Sequence, residues 1–266
     1  MAGRLEGKRA VVIGAGQQPG ETIGNGRAIA LTFAREGADV LCVDRAGDRA
    51  QATADEVAAN GGVAAALELD ATAGDAPERL AAACGERGGI DIFVYNVGIG
   101  GPGDGPPHKH EDEAFEKIFA VNFTAARRLA RAAVPLLREG EGGSFVMVSS
   151  LASLAGAGML AYEVSKAALN RLTISLARSN AKYGIRANAI LPGLMDTPMA
   201  MVGTSRRDGR TIEDQRAARG AMVPLKGGMG TGWDTANAAL FLASDEAKFI
   251  TGILLPVDGG ASVRLG

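Results

Sequence analysis

The sequence predicts a single doubly wound α/β domain spanning residues 1–266, built on a parallel sheet of about seven strands flanked by helices. Three observations lead there. Short apolar runs of strand length alternate with longer stretches of helical pattern, as βαβ units require. Glycine contributes 38 of 266 residues, about twice its usual ~7% share, with no collagen-like period, so it serves turns and close backbone approach. No internal repeat and no linker-like stretch divides a chain of this length.

The elements follow in order. Ala10-Val11-Val12-Ile13 is an apolar run too short for a stable helix and reads as a buried strand. The stretch Gly26 to Glu36 then reads as a helix, and Val40-Leu41-Cys42-Val43 as a second buried strand. Asp48 to Asn60 is the next helix, Ala64 to Leu69 a less apolar strand, and Pro77 to Glu86 the third helix. Ile92-Phe93-Val94-Tyr95 supplies a fourth strand, and Asp112 to Arg138 reads as one long helix. Phe145-Val146-Met147-Val148, the helix Tyr162 to Lys182, the strand Ala187 to Leu191, the helix Asp234 to Ala243 and the strand Ile253-Leu254-Leu255 complete the alternation. Such an order closes a doubly wound sheet.

Composition excludes several function classes. Apolar residues make up 47% and charged residues 22%, so the chain can bury a core. A formal net charge of −2 argues against nucleic-acid binding. Cys42 and Cys84 read as small packed hydrophobes, and no cluster has metal-ligand spacing, so no metal is expected. No apolar run reaches ~18 residues and no signal-type segment opens the chain, which makes a cytoplasmic protein away from membranes the expectation.

The first strand ends in Gly14-Ala15-Gly16, and the first helix opens at Gly24-Asn25-Gly26. Glycines here permit a tight turn and let backbone N–H groups approach a pyrophosphate at a helix N-terminus. The spacing departs from a strict G-x-G-x-x-G, because Gln17-Gln18-Pro19-Gly20-Glu21-Thr22-Ile23 is inserted between the two groups. Asp44 ends the second strand twenty residues after Gly24, where a carboxylate accepting from the ribose hydroxyls belongs. It repels a 2′-phosphate, so the expected cofactor is NAD rather than NADP. Arg45 beside it pulls the other way, but the glycine loop offers Glu21 instead of a second cation.

Tyr162-Glu163-Val164-Ser165-Lys166 places a phenol and an ammonium four residues apart on one helix face. Bringing a tyrosine from pH ~10 to near neutrality takes roughly 4 kcal/mol. One lysine is too little for that, and the oxidised nicotinamide of a bound cofactor is the natural second cation. Ser149-Ser150, at the end of the Phe145 to Val148 run, offers a hydroxyl. Strand register points to Ser150, since the sheet holds it while loops tolerate deletions. The spacing to Tyr162 points to Ser149.

These motifs resemble the short-chain dehydrogenase/reductase family, and the resemblance runs from Lys8 to Ser262. Tyr162 and Lys166 match its catalytic pair, and Asn122 in Val121-Asn122-Phe123 matches the helix asparagine of its tetrad. Tyr95-Asn96-Val97-Gly98 is similar to its Asn-Asn-Ala-Gly segment, with Tyr95 and Val97 departing from it. Asp70 matches the acidic residue that contacts adenine. Pro192-Gly193-Leu194-Met195-Asp196-Thr197 resembles the segment that clamps the nicotinamide carboxamide, and Val257-Asp258-Gly259-Gly260 its C-terminal signature. The resemblance implies a catalytic set of Ser150, Tyr162, Lys166 and Asn122. It implies cofactor contacts at Gly14, Gly24, Gly26, Asp44, Asp70, Asn96, Gly98, Tyr162, Lys166, Pro192, Gly193 and Thr197. It further implies an NAD-dependent Rossmann enzyme moving hydride between a secondary alcohol or ketone and nicotinamide, with the tyrosine as general acid/base. In the family the two long helices build a homotetramer, and about 198–230 forms a substrate lid.

The lid carries Arg206, Arg207, Arg210, Arg216, Arg219 and Lys226 against Asp208, Glu213 and Asp214, which suits either an anionic substrate or a solvated mixed-charge helix. His108 and His110 sit in a Pro-rich loop and read as surface residues, and Trp233 as a packing anchor. Alternative functions are a catalytically silent dinucleotide-binding module, a 3-oxoacyl-type ketoreductase, and an enoyl reductase. In the last of these, tyrosine and lysine usually stand further apart than here.

Overall fold

In the computed structural model, which describes residues 3–140, 142–201, 209 and 211–263, β1 (Arg9–Ile13), β2 (Asp39–Asp44), β3 (Val63–Glu68), β4 (Ile92–Tyr95), β5 (Gly143–Val148), β6 (Ile185–Pro192) and β9 (Leu254–Val257) form one parallel sheet in the order β3-β2-β1-β4-β5-β6-β9. Two short strands, β7 (Met195–Asp196) and β8 (Gly230–Thr231), pair apart from it. Parallel strands need crossover connections, and helices fill both faces. The seven expected strands are all present, with bounds shifted by a residue or two.

Alternation along β1 sorts its side chains between two cores. Ala10 and Val12 face α1 (Asn25–Arg35), α2 (Gly47–Ala59) and α8 (Gly232–Ala243), meeting Ile29, Phe33, Val57, Ala236 and Leu240. Val11 and Ile13 face α3 (Ala76–Glu86), α5 (Ala125–Glu139) and α6 (Leu160–Asn180), meeting Leu80, Leu129, Leu137 and Leu169. The Phe93 and Phe145 rings, on adjacent strands, pack tilted with centroids 5.3 Å apart.

Two elements differ from expectation. The helix expected over Asp112 to Arg138 is α4 (Asp112–Phe119) and α5 joined by a π-helical turn, Ala120–Thr124. The fully buried Tyr95 hydroxyl donates to the Val121 carbonyl at 2.6 Å inside that turn, supplying a partner for a carbonyl where the α-helical ladder is interrupted. The lid region contains α7 (Ile212–Gly220), where the Thr211 hydroxyl caps the Asp214 N–H. Trp233, expected to be a packing anchor, is 39% exposed and packs under the Arg35 guanidinium, 5.7 Å from its ring centroid. Arg206, Arg207, Asp208 and Arg210 lie outside the described residues.

Candidate active site

The residues singled out in the sequence fall at or just after the carboxyl ends of β1 to β7, at the start of α1 (Gly24, Gly26), in the π turn (Asn122) and on α6 (Tyr162, Lys166). Between β1 and β4 the chain departs toward opposite edges of the sheet, which opens a crevice at the switch point. Gly14 turns the chain there with φ +84°, a conformation a β-carbon disfavours, and its N–H donates to Val43 at 2.7 Å. Asn96 holds the same turn from β4, donating from Nδ2 to the Gly14 carbonyl at 3.0 Å. Gly26 packs so tightly that a β-carbon would lie 1.8 Å from that carbonyl. Helix α1 therefore begins right against the strand end. Its first intrahelical bond is Ala28 to Gly24, which leaves the amides of Asn25, Gly26 and Arg27 at the positive end of the helix.

The inserted loop is built rather than loose. The Gln17 side chain donates to the Gln18 and Thr22 carbonyls, both at 2.9 Å, and accepts from the Gly24 N–H at 3.0 Å. Gly24 thus caps the helix with its own amide engaged. Asp44 accepts from the Gly16 N–H at 3.0 Å and the Ala46 N–H at 3.1 Å. A β-carbon at Gly16 would come within 2.6 Å of that carboxylate. Asp70 lies exposed beyond β3, and bonds from the Thr72 hydroxyl and N–H hold its carboxyl below the usual range.

On the other side of the crevice the end of β5 supplies Ser149 and Ser150 and α6 supplies Tyr162 and Lys166, all four buried or half-buried. Ser150 lies close enough to the Tyr162 phenol to favour its ionised form, and Ser150 Oγ accepts from the Ala152 N–H at 3.2 Å. Ser149 is turned away, its hydroxyl donating to the Lys166 carbonyl at 3.1 Å. The neighbours diverge because successive strand residues point to opposite faces. Lys166 is 2% exposed, donates from Nζ to the Val148 carbonyl at 3.0 Å, and lies 5.9 Å from the Tyr162 ring centroid.

Burial pushes the Lys166 pKa down to about 8. Burial likewise raises the Tyr162 phenol above its ordinary value, and Ser150 beside it offsets part of that rise. The protein alone therefore keeps the tyrosine protonated at neutral pH, as expected when the lysine beside it is itself withdrawn from water. Gly98 passes close to the lysine, since a β-carbon there would sit 2.8 Å from Nζ.

Asn122 is fully engaged. Its Oδ1 accepts from the Ile99 N–H at 2.7 Å, and its Nδ2 donates to the Ile99 carbonyl at 2.9 Å and Ser165 Oγ at 3.0 Å. Ser165 in turn donates to the Tyr162 carbonyl at 2.8 Å. The asparagine side chain thus fastens the loop after β4 to the helix that carries the tyrosine. Pro192 ends β6, and Gly193 donates to Val257 at 3.0 Å with Asp258 too close to admit a β-carbon. Asp258 is pushed up by burial, but N–H donors from Ser262 and Gly260 outweigh that and hold its carboxyl low. Thr197 is 7% exposed just beyond β7.

Asp104, Gln17 and Ser165 escaped sequence reasoning. Asp104 accepts from the Ala161 and Tyr162 N–H groups, a cap supplied from a distant loop that no local spacing announces. His108 is exposed, and His110 bonds the Pro107 carbonyl while its ring meets Phe115. Neither histidine joins the tyrosine. Among the described residues no group of His, Cys, Asp and Glu could hold a metal ion, and no helix is long and apolar enough to cross a membrane.

A family model described as enoyl-(acyl carrier protein) reductase matches residues 21–262. The chain is 37% identical over 268 residues to the 2,5-dichloro-2,5-cyclohexadiene-1,4-diol dehydrogenase LinX of Sphingobium indicum, covering 99% of each chain. A solved short-chain dehydrogenase/reductase from Burkholderia xenovorans superposes with a TM-score of 0.93 at 39% identity over the whole of both chains. Carveol dehydrogenase from Mycobacterium avium, solved with NAD, superposes with a TM-score of 0.90 at 30% identity, covering 98% of this chain and 100% of that one.

Proposed function

This chain belongs to the short-chain dehydrogenase/reductase family, and from that premise we propose that it is an NAD-dependent dehydrogenase of a secondary alcohol, running in reverse as a ketone reductase. The observation that carries the reading is the buried Lys166, whose Nζ is held on the Val148 carbonyl at 3.0 Å and 5.9 Å from the Tyr162 ring centroid, with Ser150 beside the phenol. A structural pair would not need a buried lysine, whose desolvation is unfavourable.

The residues present fit a dinucleotide. The first-turn amides of α1 suit its phosphates, and Asp44 at the end of β2 suits the adenosine ribose and disfavours a 2′-phosphate. Bound there, the oxidised nicotinamide would accept hydride from the carbinol carbon and add a positive charge to the site. Ser150 holds the substrate oxygen by a hydrogen bond. Tyr162 takes the hydroxyl proton as general base, or returns it in the reverse direction. Lys166 favours the phenolate once a second cation is present. Asn122 holds the loop and helix that set these distances.

The solved relatives carry NAD in one case and NADP in another, so the cofactor choice rests on Asp44, and the two named dehydrogenases support an alcohol substrate. Assembly as a homotetramer belongs to the same reading, as does a cytoplasmic location; members of the family are often oligomeric, which supports the first. The lid weakens one expectation, since Arg216 is already paired with Asp196 and Glu21, so less of its positive charge is left for an anionic substrate. The test is a panel of secondary alcohols and hydroxy acids with NAD and NADP compared by NAD(P)H absorbance. Turnover with NAD well above that with NADP is expected. Reduction of 3-oxoacyl thioesters by NADPH alone would favour the ketoreductase, and nucleotide binding without any turnover the silent module.

A further inference from the structure

The insertion in the glycine loop has no part in the proposed chemistry, yet it is tied to the segment that carries Thr197. Gly20 seats against Pro198, where a β-carbon would lie 2.8 Å from the proline ring. Thr22 Oγ1 reaches Asp196 Oδ1 at 3.5 Å, and the other oxygen of that carboxylate accepts from Arg216 Nε at 2.7 Å. The Arg216 guanidinium also stands 3.6 Å from Glu21 Oε2. One cation on α7 therefore joins a carboxylate on β7 to a carboxylate in the insertion. The Asp196 side chain is only 16% exposed, so without Arg216 it would be a poorly solvated charge with Thr22 as its one weak donor among the described residues. Glu21 is 74% exposed and contributes a screened, longer-range attraction.

The placement gives this tie a purpose. The insertion springs from the N-terminus of α1, where the phosphates of a dinucleotide would bind, and it is fastened beside Thr197, at the nicotinamide end of the same site. A plain loop closure would need neither the seat on Pro198 nor the shared guanidinium, because Gln17 already closes the loop upon itself.

We propose that the insertion and Arg216 form a clasp across the dinucleotide site, in which Arg216 is a positioning residue whose bond to Asp196 must open before the cofactor leaves. The clasp rests on the dinucleotide site proposed above. Arg216 touches neither substrate nor cofactor in this account. It acts by holding β7 and the insertion together.

The experiment is NADH release from the full-length protein, followed by stopped-flow fluorescence on displacement with excess NAD, for wild type, R216Q, R216K and E21Q. R216Q should release NADH about tenfold faster, as loss of a charge-assisted bond allows. R216K should lie between R216Q and wild type, because it keeps the charge but loses the guanidinium fork. E21Q should show a rise of about two- to threefold. Added salt should speed release from wild type and leave R216Q nearly unchanged. The KM for NAD should rise in R216Q while single-turnover hydride transfer at saturating NAD keeps its rate, a split that general destabilisation would not give. Release from R216Q within twofold of wild type overturns the clasp alone. If R216Q fails to fold, E21Q and the salt series decide, and release unchanged in both overturns it. A wild-type protein that binds no NADH overturns both the clasp and the site on which it rests.

Discussion

Asp104 caps the helix that carries Tyr162: one carboxylate oxygen accepts from the Ala161 N–H at 2.9 Å and the other from the Tyr162 N–H at 3.1 Å. The loop after β4 thereby fixes the start of α6 from outside the helix, satisfying two of its orphan amides and placing a negative charge at its positive end. Asp104→Ala should reduce stability by about 1–2 kcal/mol and lower kcat by more than its effect on the KM for the cofactor. Asp104→Asn, which keeps one acceptor, should fall between. Thermal melting with steady-state kinetics checks both, and equal kcat in all three proteins would remove Asp104 from the account.

The two serines separate in a second comparison. Ser149 Oγ donates to the Lys166 carbonyl, whereas Ser150 stands beside the Tyr162 phenol and favours its ionised form. Ser150→Ala should lose roughly 10²–10³-fold in kcat, the scale seen on removing one hydrogen-bond donor at a reacting oxygen, with little change in melting temperature. Ser149→Ala should chiefly cost stability, about 1 kcal/mol. The opposite ranking in the kinetics would assign the role to Ser149.

Lys166 yields a prediction about pH. Its folded pKa of about 8 lies below the unfolded value of 10.5. Below pH 8 both states hold the proton, and the folded state bears the whole burial penalty, roughly 3 kcal/mol. Between about pH 8 and 10.5 the unfolded chain binds more protons, so this group's contribution to stability improves as pH rises. Lys166→Met should abolish activity yet raise the melting temperature at pH 7 by a few degrees, with the advantage shrinking toward pH 10. Paired calorimetric scans at the two pH values check it. A variant less stable than wild type at pH 7 would contradict it.

Asp44 bears on cofactor choice. It is held by the Gly16 and Ala46 amides at the end of β2, so its replacement removes both a ribose acceptor and a brace of the glycine turn. Asp44→Ala should raise the KM for NAD by about 10- to 100-fold, the loss of a charged acceptor, while NADP improves relative to NAD. The ratio of kcat/KM for the two cofactors is the readout. An unchanged ratio would remove Asp44 from selectivity.

Much of this was legible in the chain because strand runs and glycine turns are local signals. All seven strands of the main sheet could be read from apolar runs, and the order of the site segments followed from their place after each strand. The π turn around Asn122 could not be read, since the helical pattern continues through it and its distinguishing partner is the hydroxyl of Tyr95, 26 residues upstream. The choice between Ser149 and Ser150 hinged on which face of β5 each leaves, a matter of register that loop spacing obscures. The cap from Asp104 and the tie between Arg216 and Asp196 join residues distant in sequence, and no periodicity encodes such pairs. The ionisation of Tyr162 was anticipated in kind: a lysine beneath the ring does not by itself lower the phenol's pKa when both groups are withdrawn from water.

The central claim is that Tyr162 moves the proton, and Tyr162→Phe tests it most directly, since the substitution removes one hydroxyl and keeps the ring that packs in the site. Turnover with NAD and the best secondary alcohol of the panel should fall by 10³-fold or more, on the order expected for a lost general base, while NADH binds within about twofold of wild type. Turnover above a tenth of the wild-type rate, with NADH binding intact, would contradict the account.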